Sequence, residues 1–232
     1  MKTLVLFDID GTLLTSAGAG RRAIISALTL EMNRVEAWDQ IRFDGKTDPQ
    51  ILVELLVAAG HTGEPEPARL EQLGRRYVTL LREELARDTH RTTVLPGVPH
   101  LLDRVEADGR AVLGLLTGNF MEGAALKLHS AGIEPSRFRV GAYGSDSARR
   151  ADLPPIAAER AVSLFGRVPT GHEVVIVGDT PSDVTCGQCI GARAIGVATG
   201  GYSVDQLREA GATAVFENLS DTDAVLRALF PG

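Results

Sequence analysis

Three features are scarce in this sequence, and each scarcity excludes something. The only cysteines among the 232 residues are Cys186 and Cys189, which are too few for the disulfide framework of a small secreted protein. Of the 24 basic residues, only Lys2, Lys46 and Lys127 are lysines, so an arginine could fill a role that lysine often takes. No apolar run approaches the roughly 18 residues that a membrane-spanning helix needs.

Charge and composition are those of an ordinary globular protein. With 24 basic and 30 acidic residues the net charge is −6, which gives no global field favouring nucleic acid or an anionic membrane as a partner. The first residues lead directly into the strand-like Leu4–Phe7, without the apolar stretch and cleavage site of a signal peptide. We therefore expect a cytoplasmic protein.

Short apolar runs alternate with longer amphipathic stretches, which is the pattern of a parallel sheet flanked by helices. The runs are nearly continuous, as expected for strands that are covered on both faces. The predicted strands are Thr3–Phe7, Ala111–Leu116, Val174–Val177 and Ala194–Val197. The predicted helices are Val98–Asp108, Met121–Ala131, Pro154–Phe165 and Ser182–Ile190.

A long interval, from about Ser16 to Leu95, interrupts this alternation. It is predicted to be mostly helical, with no convincing strand, and it is too long for an ordinary connection between strands. Its predicted helices are Arg21–Arg34, Pro49–Ala59 and Ala68–Arg87. We therefore predict an α/β fold with a Rossmann-like parallel-sheet core, formed by residues 1–15 and 96–232. Residues 16–95 are predicted to form an inserted all-helical cap.

The sharpest chemical signal is Asp8-Ile9-Asp10-Gly11-Thr12, directly after the first predicted strand. Ligands of open parallel sheets bind beyond the carboxyl ends of the strands. Side chains two positions apart in extended chain point the same way, so Asp8 and Asp10 should face one pocket. Their carboxylates repel each other unless a cation joins them, and Gly11 lets the backbone approach a ligand. An Asp-rich turn without function has the same pattern, so its companions must decide.

A second pair of carboxylates follows another predicted strand. Asp179 comes after Val174–Val177, and Asp183 follows near a helix start. In the simpler interpretation, Asp179 caps that helix and Asp183 is a favourable charge in its first turn. Together with Asp8 and Asp10, however, these carboxylates provide the hard oxygen ligands that Mg²⁺ prefers. None of the five histidines belongs to a ligand-spaced pair, so zinc and iron are not indicated.

A third predicted strand ends at Thr117-Gly118-Asn119. A hydroxyl group together with backbone N–H groups at a helix N-terminus forms a site for anions. Taken alone, Thr-Gly-Asn is a common turn. At the end of a third strand it predicts a phosphate cradle, with Gly11 and Thr12 as further substrate-binding residues.

The order of these motifs resembles the haloacid dehalogenase-like superfamily of hydrolases. The resemblance rests on Asp8–Thr12, then Thr117, then Gly178–Asp183, and it covers essentially the whole chain. The most similar branch is the phosphoglycolate phosphatase-like one, in which a helical cap is inserted between the first two motifs. The resemblance therefore implies the same cap here.

The resemblance also implies roles for individual residues. It makes Asp8 the nucleophile, Asp10 the general acid and base, and Thr117 a ligand of the phosphoryl oxygens. It places Mg²⁺ on Asp8, Asp179 and the backbone carbonyl of Asp10. Asp183 is implied as a further metal ligand, directly or through water.

The basic residue of the family departs from its usual pattern here. The family commonly shows Lys-Pro-x-Pro, whereas this chain has the stretch Arg149–Pro155. We predict that Arg150 is the catalytic cation, because it stands just ahead of a helix introduced by the prolines. Arginine can act as a fixed cation and a bidentate phosphate ligand. Arg149 is the alternative, and a solvated arginine pair is the interpretation without function.

Gly45-Lys46-Thr47 is similar to the end of a P-loop, but Gln40 stands where the first glycine belongs. The family resemblance places this segment in the cap, within reach of the phosphate site. Gly45, Lys46 and Asp48 are therefore candidate substrate contacts. An exposed turn that caps the following helix explains the segment equally well.

Gly18–Ala23 fits a dinucleotide-binding pattern, but it does not directly follow a strand. We interpret it as a flexible hinge between core and cap, with Arg21 and Arg22 near the rim of the pocket.

Cys186 and Cys189 have the spacing of a redox pair, but they lie on a predicted helix where small residues pack. Buried free thiols are therefore expected. The aromatic residues Trp38, Phe43 and Tyr77 are assigned to the core of the cap rather than to a ligand platform.

These features together predict a Mg²⁺-dependent phosphatase that acts on a small phosphorylated metabolite through an aspartyl-phosphate. Phosphoglycolate and a sugar phosphate are the candidate substrates. One alternative is a phosphosugar mutase of the β-phosphoglucomutase type on the same scaffold. The other is a binding protein without catalysis.

Overall fold

The apolar runs of the sequence form the centre of the molecule as β-strands. The computed structural model describes residues 2–32, 41–87, 89 and 91–231. In chain order the strands are β1 (Thr3–Phe7), β2 (Leu14–Thr15), β3 (Thr93–Val94), β4 (Ala111–Thr117), β5 (Val140–Tyr143), β6 (Val174–Gly178), β7 (Arg193–Val197) and β8 (Ala214–Phe216). Six of them form one parallel sheet in the order β5-β4-β1-β6-β7-β8. All residues of β1 and β6 are buried, as central strands covered on both faces must be.

Helices pack against both faces of this sheet. In the described part of the chain they are α1 (Ala19–Met32), α2 (Asp48–Ala58), α3 (Pro67–Leu85), α4 (Val98–Ala107), α5 (Met121–Ser130), α6 (Leu153–Arg160), α7 (Val162–Phe165), α8 (Pro181–Cys186), α9 (Val204–Glu209) and α10 (Thr222–Leu229). None of these helices has both the length and the apolar character that crossing a membrane requires.

The predicted α/β fold with a Rossmann-like parallel sheet is confirmed. The four predicted strands are all present, but the sheet has two more strands, β5 and β8, at its edges. Edge strands are short and only partly covered, and the residues of β8 are all half-buried. Such segments lack the continuous apolar run that identifies a central strand.

Two helices that were each predicted as one are divided in the structure. The predicted helix 154–165 is interrupted at Ala161, whose N–H is shared between the carbonyls of Ala157 and Ala158. The predicted helix 182–190 ends at Cys186, and a short 3₁₀ turn follows Gly187. A Cβ atom at Gly187 would lie 2.5 Å from Ile176 Cδ1, so the backbone packs directly against β6 at this point.

Helices α1, α2 and α3, called the helical segment below, share a hydrophobic cluster of their own. Its buried side chains include Ile24, Leu28, Leu52, Leu55, Tyr77 and Leu81. The prediction that the interval 16–95 contains no strand is wrong, because Thr93–Val94 pairs with Leu14–Thr15 in a small antiparallel ladder. The two chain passages that lead into and out of the helical segment are therefore joined side by side. Trp38 lies outside the described residues.

Candidate active site

The ends of three neighbouring strands bring the predicted residues to one edge of the sheet. Asp8 follows β1, Thr117 ends β4 and Asp179 follows β6. Together with Asp10 they line a cavity of about 230 Å³, which the helical segment covers. Thr12, predicted to bind substrate, does not line it. This residue is fully buried and donates from Oγ1 to Asp179 Oδ1 at 3.1 Å, so it holds another site residue.

Three buried carboxylates, Asp8, Asp179 and Asp183, form what we call the acidic cluster. Each offers an oxygen within 4.8 Å of the others. Burial raises the pKa of Asp8 to about 6. The positive charge of Arg150 lowers this pKa, and the negative charge of Asp183 raises it further. Burial and the neighbouring carboxylates raise the pKa of Asp179 to about 9. The cluster thus has more negative charge than the chain compensates, which fits a divalent cation.

Glycines provide the space around the acidic cluster. A Cβ atom at Gly200 would lie 1.8 Å from Asp179 Oδ2, and one at Gly11 would lie 2.4 Å from the same oxygen. Gly11 also has a φ of +80°, a conformation that favours glycine. The Asp179 carboxylate therefore occupies room that only glycine leaves. The glycines thus fix the position of a carboxylate whose oxygens are of the kind that a hard cation prefers.

Asp183 has a structural role as well as a place in the cluster. It forms a capping box with Thr180, which is the N-cap of α8. Its Oδ2 accepts from Thr180 N at 3.0 Å and from Thr180 Oγ1 at 2.7 Å, and its Oδ1 accepts from Arg150. The simpler interpretation is therefore correct for Asp183, whereas Thr180 rather than Asp179 caps the helix. A direct bond from Asp183 to a cation would compete with these partners.

The structure places Arg150, not Arg149, beside the acidic cluster. Arg150 is buried, and its Nη2 lies 3.2 Å from Asp8 Oδ1 and also donates to Asp183. Arg149 is exposed. The short 3₁₀ turn Arg150–Asp152, just before α6, directs the guanidinium inward. Arg150 therefore supplies a fixed positive charge next to the predicted nucleophile.

On the other side of the cavity, Asp10 bonds to a residue that the sequence analysis missed. Lys127 Nζ donates to Asp10 Oδ2 at 2.6 Å and to Asn119 Oδ1 at 2.7 Å. Lys127 belongs to the buried face of α5, where Ala124 and Leu128 also lie. A lysine on the apolar face of a predicted helix was the signal available in the sequence.

The start of α2 is bonded to the loop after β4. Asp48 N donates to Gly118 O at 2.7 Å, and Asp48 Oδ2 accepts from Phe120 N at 2.8 Å. A Cβ atom at Gly118 would lie 2.1 Å from Lys46 O. Gly118, predicted to bind substrate, thus also lets the helical segment approach closely. Burial raises the pKa of Asp48 to about 6, while Lys127 opposes this rise.

Gly45 and Lys46 both line the cavity, as do Gly118 and Asn119. The ammonium group of Lys46 forms an ion pair with Glu54. The exposed-turn alternative for this segment is half right. Thr47 is the N-cap of α2 and accepts from Gln50 N at 3.2 Å, but Thr47 is buried rather than exposed.

The predicted flexible hinge at Gly18–Ala23 is wrong, because α1 begins at Ala19. Only Gly18, with a φ of +77°, precedes the helix. Arg21 lines the cavity and donates to Ile41 O at 3.1 Å. Arg22 is outside this cavity and is bonded to Glu84. A helix start therefore fixes both arginines.

The two thiols differ from each other. Cys186 is buried, as expected, and burial raises its pKa to about 12. Cys189 is exposed, so the prediction of two buried thiols is wrong for it, because the helix ends before this residue.

Comparisons with known proteins find similar chains and similar folds. A family model described as haloacid dehalogenase-like hydrolase matches residues 2–191. The chain is 27% identical to the protein named Probable phosphatase IndB of Dickeya dadantii over 99% of this chain and 95% of that protein. It is 27% identical to a phosphoglycolate phosphatase of Pseudomonas putida over 99% of this chain and 79% of that protein. Among solved structures, CbbY from Rhodobacter sphaeroides in complex with phosphate superimposes with a TM-score of 0.74 at 18% identity, covering 95% of this chain and 96% of that one.

Proposed function

The chain belongs to the haloacid dehalogenase-like hydrolase family, and we propose that it is a Mg²⁺-dependent phosphatase that hydrolyses a small phosphomonoester through a phosphorylated Asp8. The match to residues 2–191 confirms the family that the motifs indicate. The phosphatase relatives bear out the prediction of a phosphoric monoester hydrolase. The metal, the residue roles and the substrate are parts of the proposal.

One observation carries the proposal, namely the surroundings of Asp8. Its carboxylate lies in the cavity with Arg150 at 3.2 Å and within 4.8 Å of oxygens of Asp179 and Asp183. A carboxylate can attack phosphorus only if the repulsion between two anions is offset. Arg150 supplies one positive charge. Mg²⁺ held by Asp8 and Asp179 would supply two more, and the excess of carboxylates is suited to it.

Asp8 and Asp10 divide the chemistry between them. An oxygen of Asp8 forms a bond to phosphorus while the bond from phosphorus to the ester oxygen breaks. Asp10 gives its proton to that leaving oxygen, so an alcohol departs. Asp10 then takes a proton from a water molecule, whose oxygen attacks the phosphorus of the phosphorylated Asp8. The bond between Asp8 and phosphorus breaks, and inorganic phosphate leaves.

Thr117 and Arg150 orient the phosphoryl group in this scheme. Thr117 is fully buried at the end of β4, lines the cavity, and accepts at Oγ1 a hydrogen bond from Asn119 Nδ2 at 2.8 Å. The guanidinium of Arg150 can bond phosphoryl oxygens while it stays paired with Asp8. Thr117 is held by the end of β4 and Arg150 by its ion pairs with Asp8 and Asp183 before substrate arrives, so little has to move on binding.

The size of the cavity supports a small substrate. About 230 Å³ accommodates a phosphoryl group and a few further atoms. The wall opposite Asp8 comes from the helical segment and is partly apolar, with Ile24, Ile51 and Tyr77. We propose that residues 16–95 act as a cap over this space, in a cytoplasmic enzyme. Phosphoglycolate, named in the Pseudomonas putida relative, and sugar phosphates are the substrates to try first.

A panel of phosphomonoesters, assayed for phosphate release with Mg²⁺ and with EDTA, tests the proposal. We expect Mg²⁺-dependent release from at least one small ester, and none from the matched Asp8→Asn variant. Analysis of the organic product separates a phosphatase from a mutase, since a mutase yields an isomer and no net phosphate. Release that persists in Asp8→Asn would contradict the nucleophile, and an inert parent protein would favour the binding role.

A further inference from the structure

Lys127 is a buried lysine to which the scheme above gives no task. Only 5% of the residue is exposed, and it projects from α5 toward the cavity. Its Nζ lies 2.6 Å from Asp10 Oδ2 and 2.7 Å from Asn119 Oδ1. Burying an ammonium group is costly unless it is paired. These two bonds therefore fix where the positive charge lies.

The two partners of Lys127 are also bonded to each other. Asn119 Nδ2 donates to Asp10 Oδ2 at 2.8 Å and to Thr117 Oγ1 at 2.8 Å. An ammonium group can only donate, so Lys127 requires the amide oxygen of Asn119 to face it. The amide NH₂ group must then face Asp10. Lys127, Asn119 and Asp10 thus form a closed set of bonds, which we call the Lys127 triangle.

The triangle occupies only one oxygen of Asp10. The hydrogen bonds that the Asp10 side chain makes with described residues both end on Oδ2. Yet 41% of this side chain stays exposed, in the cavity. Oδ1 is therefore the oxygen left to meet a substrate. Two donors on the same oxygen prevent the carboxylate from turning about its own axis.

We propose that Lys127 is a positioning residue, which together with Asn119 holds Oδ2 of Asp10 so that Oδ1 faces the oxygen of the departing alcohol. The inference rests on the proposed function and deepens it. Lys127 acts through Asp10 and needs no contact with substrate. Without the ammonium group, the Asn119 amide is free to flip, and its oxygen would then repel the Asp10 carboxylate.

The chain offers a matched pair of variants. Lys127→Met keeps an unbranched side chain only one atom shorter and removes the donor, while Lys2→Met makes the same change at an exposed lysine whose Nζ bonds Leu164 O. The readout is kcat/KM for an alkyl phosphate, whose poor leaving group needs protonation, and for 4-nitrophenyl phosphate, which needs little. In Lys127→Met the alkyl rate should fall about 100-fold, as expected for a misplaced acid. The 4-nitrophenyl rate should fall far less, and Lys2→Met should match the parent.

A second comparison separates positioning from general damage. If Lys127 acts through Asp10, then Lys127→Met in an Asp10→Asn background should cost almost nothing further, because coupled residues are not additive. Equal losses for the two esters, or losses that multiply in the double variant, would overturn the proposal. Should Lys127→Met fail to fold, Lys127→Gln, which keeps an N–H donor, is measured on the same esters. It should show a smaller shift in the same direction.

Crystal structures of the parent and of Lys127→Met supply a readout that needs no turnover. We expect the Asp10 carboxylate to leave Asn119 in the variant, and an unmoved Asp10 would overturn the positioning role. If the parent hydrolyses no ester, the proposed function fails, and the position of Asp10 still decides the role of Lys127.

Discussion

The two sides of the cavity use the same acidic residue type but balance its charge differently. On one side, Arg150 pairs with two of the three carboxylates of the acidic cluster, Asp8 and Asp183, and the pKa of the third, Asp179, is raised to about 9. On the other side, Lys127 bonds Asp10 directly. The first side has three carboxylates around one guanidinium group, whereas on the second side the Lys127 ammonium group lies near two carboxylates, those of Asp10 and Asp48. The oxygens of the first side lie close enough together to hold a cation, whereas Oδ2 of Asp10 is already bonded to Lys127 and Asn119.

The largest expected effects come from replacing Asp8 and Asp10, one aspartate on each side of the cavity. Asp8→Asn should reduce turnover of every ester by at least about 10⁴-fold, because the nucleophile is lost. It should also raise the stability of the metal-free protein, since one of three crowded carboxylates is gone. Asp10→Asn should cost about 10²–10⁴-fold on alkyl phosphates and much less on 4-nitrophenyl phosphate.

Steady-state kinetics on both esters and thermal unfolding without metal measure these effects. The Asp10 assignment is wrong if both esters lose equally. The Asp8 assignment is wrong if the variant turns over at a rate near that of the parent.

The next effect concerns space for the cation. Gly200→Ala places a Cβ atom 1.8 Å from the present position of Asp179 Oδ2, so the carboxylate must move. Mg²⁺ affinity, measured by calorimetry, should fall at least about 10-fold. Gly201→Ala is the matched control, because its nearest contact would be Asp44 Oδ2 at an ordinary 3.9 Å. Equal affinities in the two variants would remove Asp179 from the metal site.

The sequence predicts the acidic side of the cavity better than the Lys127 side, for a physical reason. Asp8 and Asp179 directly follow central strands, and the carboxyl ends of parallel strands meet at one edge. That these two residues lie close together therefore follows from the apolar runs before them and from the rule that parallel strands end on the same side of the sheet. Arg150 also follows from local pattern, since the prolines after it start a helix.

Lys127 depends on how a whole helix is rotated against the sheet, which no short motif records. Thr12 was predicted to bind substrate, but its side chain instead donates a hydrogen bond to Asp179. This contact, too, joins residues that are far apart in the sequence. The edge strands β5 and β8 escaped prediction because partial cover does not demand an apolar run. What the sequence leaves open is thus the direction of side chains that meet across distant elements.

A smaller effect concerns how the stability of the folded protein depends on pH. Raised pKa values of Asp8, about 6, and Asp179, about 9, mean that the folded chain holds protons that the unfolded chain has released above about pH 4. Folded stability of the metal-free protein should therefore fall as pH rises from about 4 to 9. Mg²⁺ competes with these protons.

Thermal unfolding with and without Mg²⁺ at pH 5 and pH 8 tests this sign. The increase in Tm caused by Mg²⁺ should be larger at pH 8, by at least about 2 °C. A larger increase at pH 5 would show that the cation does not bind the acidic cluster.

The smallest expected effect tests whether the start of α2 supports the Lys127 side. Thr47→Ala removes the N-cap of α2 and the bond from Thr47 Oγ1 to Ala148 O at 2.7 Å. Ser203→Ala removes a comparable cap from α9, where the serine accepts from Gln206 N at 3.3 Å. Ser203→Ala should lower the free energy of unfolding in urea by about 1 kcal/mol, and Thr47→Ala by more, because a buried side chain also loses its bond to Ala148 O.

Only Thr47→Ala should also raise KM, because Asp48, the next residue, holds the loop at Gly118 and Phe120 over the cavity. We expect a few-fold rise in KM for Thr47→Ala and the parent value for Ser203→Ala. This result would show that the contact of the helical segment with the loop affects substrate binding, apart from any general loss of stability. Equal KM values for the two variants would mean that the α2 cap stabilises the fold without shaping the site.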